Sequence, residues 1–399
     1  MRLLLALAVC LVSTTPALAQ QPDPFAAPNL LMSGARLQEL QGALGRGDPF
    51  VVQLRDQVLR EADPFLLRDP DPVVGVLKVP AFYGPGKDRQ RALARQVRTD
   101  AWGAHALALA FALSGDPRYA DQAERYLQAW VGACTHPVHG GEWYYLLPYF
   151  VRGDTALVMS YSFPSFLCAW DLLRGLGRID PGEQARFVSW LRPFVDYHRD
   201  ELAYRDNAHA WQVLFLLCAA HVSEDRALFA AAVDMHRRGL ERAICPDGAL
   251  GRELLRGEKA ATYSLMAIEA LLQAVAIAER HGHAGLRDLR ATRSPLGAPL
   301  PGAGLGLFDV VDDLADFLDD PARWARDHRP LVPASVHGPA RATEWGWCFE
   351  LAHALWSDPR HAGYTAEAPY GLTPPRAYTL AYATLHFRTL PGGRSPLAP

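Results

Sequence analysis

The stretch Asp247–Leu272, DGALGRELLRGEKAATYSLMAIEALL, constrains the chain more than any other. It opens on an Asp-Gly turn signal and carries Arg252, Glu253, Arg256, Glu258 and Lys259. It then runs into a segment apolar on nearly every side. A helix without a polar face has to be buried, and charge leading into a buried helix is unfavourable unless something binds it. If helical geometry reaches back to Arg256, then Arg256, Lys259 and Tyr263 fall at i, i+3 and i+7 and share one face at about 100° per residue. Ala267, Ala270 and Ala274 continue that face with small side chains, so it can line a cavity. Two positive charges and a phenol would then address one space, although Gly257 threatens the first turn. The same residues also fit a plainer picture of solvated helix-end charges beside a tyrosine packed in the core.

Helical periodicity fills most of the remaining chain. It is expected over 33–44, 49–60, 89–114, 118–131, 155–176, 182–202, 208–221, 224–243, 259–281, 306–318, 342–356 and 373–387, with Asp-Pro or Gly-Asp-Pro stops recurring between helices. Strand-like alternation is scarce and no repeat length recurs, which disfavours an open solenoid. The pattern predicts an all-α fold, an (α/α)n toroid or incomplete α/α-barrel of antiparallel helix hairpins, with 30–390 as one domain. Residues 64–90 are rich in Pro and Gly and read as a long loop of the kind that covers sites, with Lys78, Tyr83 and Lys87 available to a ligand. Residues 135–153 form an aromatic loop containing His136, His139, Trp143 and Tyr144, and 282–305 read as a long connection.

At 50% hydrophobic and 21% charged, the 399 residues have ample material for a large core. Residues 1–19 read as a secretory signal: Arg2, the apolar run Leu3–Val12, and the small-residue cleavage site Ala17-Leu18-Ala19. A soluble monomer in the periplasm or outside the cell is expected, with 20–29 as an extended leader. No later apolar run reads as a membrane span, and Cys10 leaves with the signal, so no membrane anchor is expected. Net charge is −3, and loss of Arg2 makes it −3 − 1 = −4, without the basic excess of a nucleic-acid binder. Five cysteines remain, which leaves at least one unpaired and permits one disulfide. His136 and His139 have chelating spacing but no evident third ligand, so neither a metal nor a cofactor is expected. There is no G-x-S-x-G elbow, phosphate-cradling loop or H-E-x-x-H.

A second polar cluster, Tyr204-Arg205-Asp206-Asn207-Ala208-His209-Ala210-Trp211, opens a helix, where Asp206 or Asn207 can cap. Asn207 and His209 supply amide hydrogen bonds and a titratable imidazole; a capping Asn with a half-buried His is the plainer alternative. The run Trp143-Tyr144-Tyr145 can stack on sugar rings or pack in the core, as can Trp345 and Trp347 beside Glu344. Glu253 with Asp206 keeps a two-carboxylate hydrolase open.

Together the clusters resemble a family. An Asn-His segment opening a helix, then D-G-x-L-x-x-E-L-x-R over 247–256 and a Tyr seven residues after that Arg, is similar to the α/α-barrel alginate lyases and related polyuronate lyases. SGDPRYAD at 114–121, SFPSFLCAWDLLRG at 162–175 and VLKVPAFYG at 76–84 look alike too. The resemblance covers most of 30–280. It implies an anionic polysaccharide substrate whose carboxylate is neutralised by Asn207, Arg256 and a histidine, with Tyr263 moving the proton of a β-elimination and Tyr83 contacting substrate from the lid. Lys78, Trp143, Tyr144, Lys259 and Trp211 are further candidates for substrate contact. One departure stands out: aligned on Trp211, the family's histidine position holds Ala208, and His209 comes one place later, about 100° round a helix. Arg256 and Lys259 on the Tyr263 face would lower its pKa from about 10. A glycoside hydrolase and a non-catalytic polysaccharide-binding scaffold are the alternatives.

Overall fold

A computed structural model describes residues 23–140, 144–146, 149–151, 153–201, 207–336, 346–364, 386–390 and 397. Among these the helices are α1 (Gly34–Gly45), α2 (Pro49–Leu66), α3 (Lys87–Ser114), α4 (Pro117–Ala133), α5 (Thr155–Gly175), α6 (Pro181–Glu201), α7 (Asn207–Val222), α8 (Arg226–Leu240), α9 (Gly251–Leu254), α10 (Ala260–Arg280), α11 (Leu307–Asp319), α12 (Pro321–Asp327), α13 (Gly346–Trp356) and α14 (Pro359–Gly363). The Asp-Pro pairs start helices as well as ending them. Asp48, Asp116, Asp320 and Asp358 each accept a backbone N–H as N-cap, and the Pro that follows occupies the first helical position. Gly115, at φ 72°, closes α3 in the left-handed conformation immediately before one of them.

The helices build the toroid the sequence predicts. α3 packs on α5, α5 on α7, α7 on α10, and α10 on α11 and α13, while α2 and α4 back α3 and α8 backs α7. The helices in the middle of this succession have neighbours on every side, which is why α5, α7 and α10 carry apolar residues all round. On α7 every residue except Ala208 and His209 is buried. Trp130, Trp170, Trp211 and Trp324 are among the largest side chains wholly inside.

Several expectations change. α2 runs through Pro64 to Leu66 rather than stopping near residue 60. The loops contain short pairings: β1 (Gly75–Leu77) lies parallel to β2 (Cys134–Pro137), β3 (Tyr144–Leu146) antiparallel to β4 (Tyr149–Val151), and β5 (Arg290–Ala291) antiparallel to β6 (Leu305–Gly306). Two segments, Thr155–Gly175 and Gly257–Arg280, are long and apolar enough to cross a bilayer, but each is mostly buried inside the fold as a core helix. All five described cysteines are free thiols. The pattern at 373–387 lies outside the described residues apart from its end.

Candidate active site

The organising stretch makes a hairpin and then a break. Ile244 pairs with Leu250 across the Asp247-Gly248 turn, where Gly248 sits at φ 92°. The single turn α9 then carries Glu253 inward, to 1% exposure. Gly257, at φ 60°, reverses the backbone into a 3-10 turn over Gly257–Lys259, and α10 begins only at Ala260. The helix therefore stops short of Arg256, and the shared face expected for Arg256, Lys259 and Tyr263 does not form. Lys259 is exposed. Arg256 reaches Tyr263 by another route: its guanidinium carbon lies 4.3 Å from the centre of the Tyr263 ring.

Asn207, the first residue of α7, meets this hairpin. Its backbone N–H donates to Glu253 Oε1 at 2.7 Å, and its Nδ2 donates to both carboxylate oxygens at 3.2 Å. Arg256 Nε lies 3.7 Å from Glu253 Oε2. From the opposite side the lid brings Tyr83, whose hydroxyl is 3.0 Å from that of Tyr263. The lid is tied down at its base. Val79 N–H donates to Thr155 Oγ1 at 2.9 Å, Asp154 N–H to Val79 O at 3.0 Å, and Phe82 N–H to Asp154 Oδ2 at 2.9 Å. Gly140 has to be glycine here, since a Cβ would fall 1.6 Å from Val79 O. Lys87 and Arg91 each lie 5.2 Å from the Phe82 ring, so the lid tip is positively charged.

The electrostatics overturn one expectation. Burial holds the Tyr263 phenol well above the usual range, its contact with Tyr83 adds to this, and Arg256 opposes it without winning. Tyr263 is a neutral phenol at rest. Burial likewise pushes Asp154 up to about 6 against the hydrogen bonds from Phe82 and Gln90.

Comparisons with known proteins identify the family. The family model described as alginate lyase matches residues 83–324. The chain belongs to the alginate lyase family. It is a polysaccharide lyase acting on alginate. Among solved structures, alginate lyase A1-III from Sphingomonas species A1 is 17% identical with a TM-score of 0.65, covering 92% of this chain and 98% of that one. An alginate lyase from Bacteroides ovatus is 16% identical with a TM-score of 0.65, covering 89% and 99%. A histidine-to-alanine variant of A1-III complexed with tetrasaccharide is 16% identical with a TM-score of 0.64, covering 92% and 96%. These likenesses show the α/α toroid. No curated protein matches the chain.

The lyase brings Asn207, Arg256, Tyr263 and Tyr83 into one cluster and leaves other candidates elsewhere. His209 turns to α8, with Nε2 3.2 Å from Met235 O and the ring lying against Gly239. Two residues beyond Asn207 is about 200° round the helix, so the two side chains leave α7 on different sides. Trp211 is 0% exposed and cannot touch a polymer. Lys78 is exposed just beyond β1, near the base of the lid. Trp143, Tyr204, Arg205, Asp206, Glu344 and Trp345 lie outside the described residues. Tyr144 is placed by its backbone in β3, and Trp347 is buried in α13. His136 Nδ1 lies 3.0 Å from Thr135 Oγ1 and His139 Nδ1 3.3 Å from the Tyr197 hydroxyl. Among the described residues no group of three His, Cys, Asp or Glu side chains can hold a metal ion.

Two residues were missed as parts of the site. Glu253 is half of the carboxylate pair that the sequence offers a hydrolase, yet its carboxylate is occupied by Asn207. Its place three residues before Arg256 in E-L-x-R was the available signal. Asp154, which grips the lid beside Tyr83, had no local signal beyond its position before α5.

Proposed function

We propose that Tyr263 is both base and acid of the β-elimination, with Asn207 and Arg256 holding the substrate carboxylate. The observation that carries this reading is the half-buried Tyr263, whose ring centre lies 4.3 Å from the Arg256 guanidinium carbon and whose hydroxyl lies 3.0 Å from that of Tyr83, with Arg256 also beside the Glu253 that Asn207 binds. In the reaction the C5–H bond breaks and its electron pair becomes the C4–C5 double bond. The C4–O4 bond breaks in turn, and O4 takes the proton. The C5 proton is weakly acidic while the neighbouring carboxylate keeps its full charge. Donors aimed at that carboxylate accept the charge that develops on it, usually the largest catalytic contribution.

Tyr263 must first lose its own proton. Tyr83, half exposed, connects it to solvent, and the cation against the ring favours the phenolate. The phenolate takes the C5 proton and returns it to O4. One group serving both steps requires C5–H and C4–O4 on the same face of the sugar. β-Mannuronate and β-glucuronate meet that requirement, and guluronate does not. His209, turned to α8, supports the single-group route over one with a separate histidine base.

The test is formation of the ultraviolet-absorbing unsaturated uronyl product. Tyr263→Phe is expected to lose at least about 1000-fold in kcat at unchanged Tm; full activity would remove Tyr263 from the chemistry. Polymannuronate or glucuronan should be cleaved and polyguluronate left intact; rapid cleavage of polyguluronate would demand a second base. We also infer that residues 1–19 direct export and are removed, leaving an unanchored monomer in the periplasm or medium. A mature N-terminus at Gln20 is the expected result of sequencing the exported chain.

A further inference from the structure

We propose that Glu253 is a positioning residue: it sets which atoms Asn207 and Arg256 present to the substrate carboxylate. The inference rests on the lyase reading of this site. A carboxylate at 1% exposure is expensive to bury, so its partners show what it is kept for. Three hydrogen bonds come to it from Asn207 alone, one from the backbone and two from the side-chain amide. An ionised carboxylate only accepts, so chemistry requires Nδ2 of Asn207, and not Oδ1, to face Glu253. An Asn side chain is otherwise ambiguous by a half-turn about its last bond. Glu253 removes the ambiguity. Nδ2 carries two hydrogens and meets both oxygens of one carboxylate at 3.2 Å, which a single shared N–H satisfies, leaving the second N–H as the donor that Asn207 offers the substrate carboxylate.

The same carboxylate governs Arg256. Arg256 Nε lies 3.7 Å from Glu253 Oε2, and the guanidinium carbon lies 4.3 Å from the centre of the Tyr263 ring. Contacts at two points of one rigid group restrict where it can swing. Glu253 also borders a small cavity lined by Val213, Leu240, Ala267, Leu271, His209 and His236. Largely apolar walls strengthen the hydrogen bonds that Glu253 does make. Both oxygens are turned to Asn207, so Glu253 is not placed to exchange protons with substrate.

A negative charge beside an anion site weakens ground-state attraction, and this separates positioning from binding. In Glu253→Gln the site gains one positive charge, while an NH2 group now confronts the Asn207 NH2. kcat is expected to fall about 100-fold, the scale of a misplaced catalytic group, while KM for the anionic polymer stays level or falls and Tm holds. Damage to the fold would instead raise KM and lower Tm. The second readout is coupling. Glu253→Gln combined with Asn207→Ala should be no slower than Asn207→Ala alone, within about threefold. Glu253→Asp, which keeps the charge but withdraws it by one methylene, should recover part of kcat and covers the case of an unstable Gln variant. Wild-type kcat in Glu253→Gln, multiplying losses in the double variant, or Glu253→Asp no better than Glu253→Gln would each overturn the proposal. Tyr263→Phe run alongside separates the two ideas. Full activity there removes the reading of the whole site, whereas an inactive Tyr263→Phe with a fully active Glu253→Gln removes only the positioning role.

Discussion

Two polar networks meet the stretch from Asp247 to Tyr263, and they are built differently. At its start, His328 lies between two carboxylates, with Nδ1 3.0 Å from Asp247 Oδ2 and Nε2 2.9 Å from Asp313 Oδ1. Both ring nitrogens face acceptors, so the ring is an imidazolium. Burial works against that charge, but the bonds to Asp247 and Asp313 outweigh it and raise the His328 pKa to about 9. Further along, Glu253 holds Asn207 and Arg256, but this network does not close. It ends on Arg256, whose side chain is 33% exposed, and on Tyr83, which is 48% exposed. What separates the two is the charge at the centre, not the exposure of the ends, since Asp247 is itself 44% exposed: a buried ring with both nitrogens taken by protein serves the fold, whereas a cation 3.7 Å from its carboxylate, beside a half-exposed phenol, is placed to take a ligand. The two networks should therefore fail in different currencies, one in stability and one in turnover.

The largest effect expected is on the open network. Arg256→Ala removes the cation that faces both Glu253 and the Tyr263 ring. It should lower kcat about 1000-fold and raise KM, with a much smaller change in Tm. Arg256→Lys keeps the charge but loses the flat face and the fixed fork, and should recover only part of kcat. A change confined to KM would show that Arg256 binds substrate and transition state equally, and the comparison would lose its catalytic half.

Next comes the closed network. His328→Asn leaves Asp247 and Asp313 near each other without their cation, a loss of about 2 kcal/mol, below the figure for a fully buried pair because Asp247 is 44% exposed, while kcat in the surviving folded protein stays near wild type. The pH dependence has a definite sign. The folded-state pKa lies above the unfolded value, so the stabilisation is complete below about pH 6.5 and disappears as pH rises through about 9. Tm of the wild type should fall across that window and Tm of His328→Asn should not. A parallel fall in both would place the alkaline sensitivity elsewhere.

The helical architecture was legible because burial on all sides leaves its mark in composition: α5, α7 and α10 have no polar face to misread. The short strands were not, since pairings of two to four residues lie below the length at which alternation shows. The seven-residue spacing of Arg256 and Tyr263 identified a true pair for an incorrect geometrical reason. Gly257 breaks the helix between them, and the guanidinium comes back over the ring from outside it. His209 and Trp211 show the limit most clearly. Both sit within four residues of Asn207, but which way each leaves α7 is decided by α8 and the core, and neither neighbour is local in sequence. The sign of the Tyr263 shift was missed likewise, because nearby charges can be counted along a chain and burial cannot. Glu253 needed a partner 46 positions away before its role could be read.

The smallest effect separates proton handling from scaffolding inside the open network. Tyr83→Phe deletes one hydroxyl from a half-exposed side chain and leaves the lid's ties to Asp154 and Thr155 untouched. Tm should not move. kcat should fall about tenfold, less than the roughly 100-fold or more of a group that itself transfers the substrate proton, because Tyr263 loses one partner for exchanging its proton. The contact with Tyr83 is among the causes that hold the Tyr263 pKa up, behind burial. Removing it lets that pKa fall, so the limb of the pH–rate profile on which the phenolate forms should move to lower pH even as the maximum drops. A lower maximum without that displacement would mean that Tyr83 only touches substrate. A displaced limb with full kcat would mean that Tyr263 exchanges its proton with water directly. Either result would redraw where the open network ends.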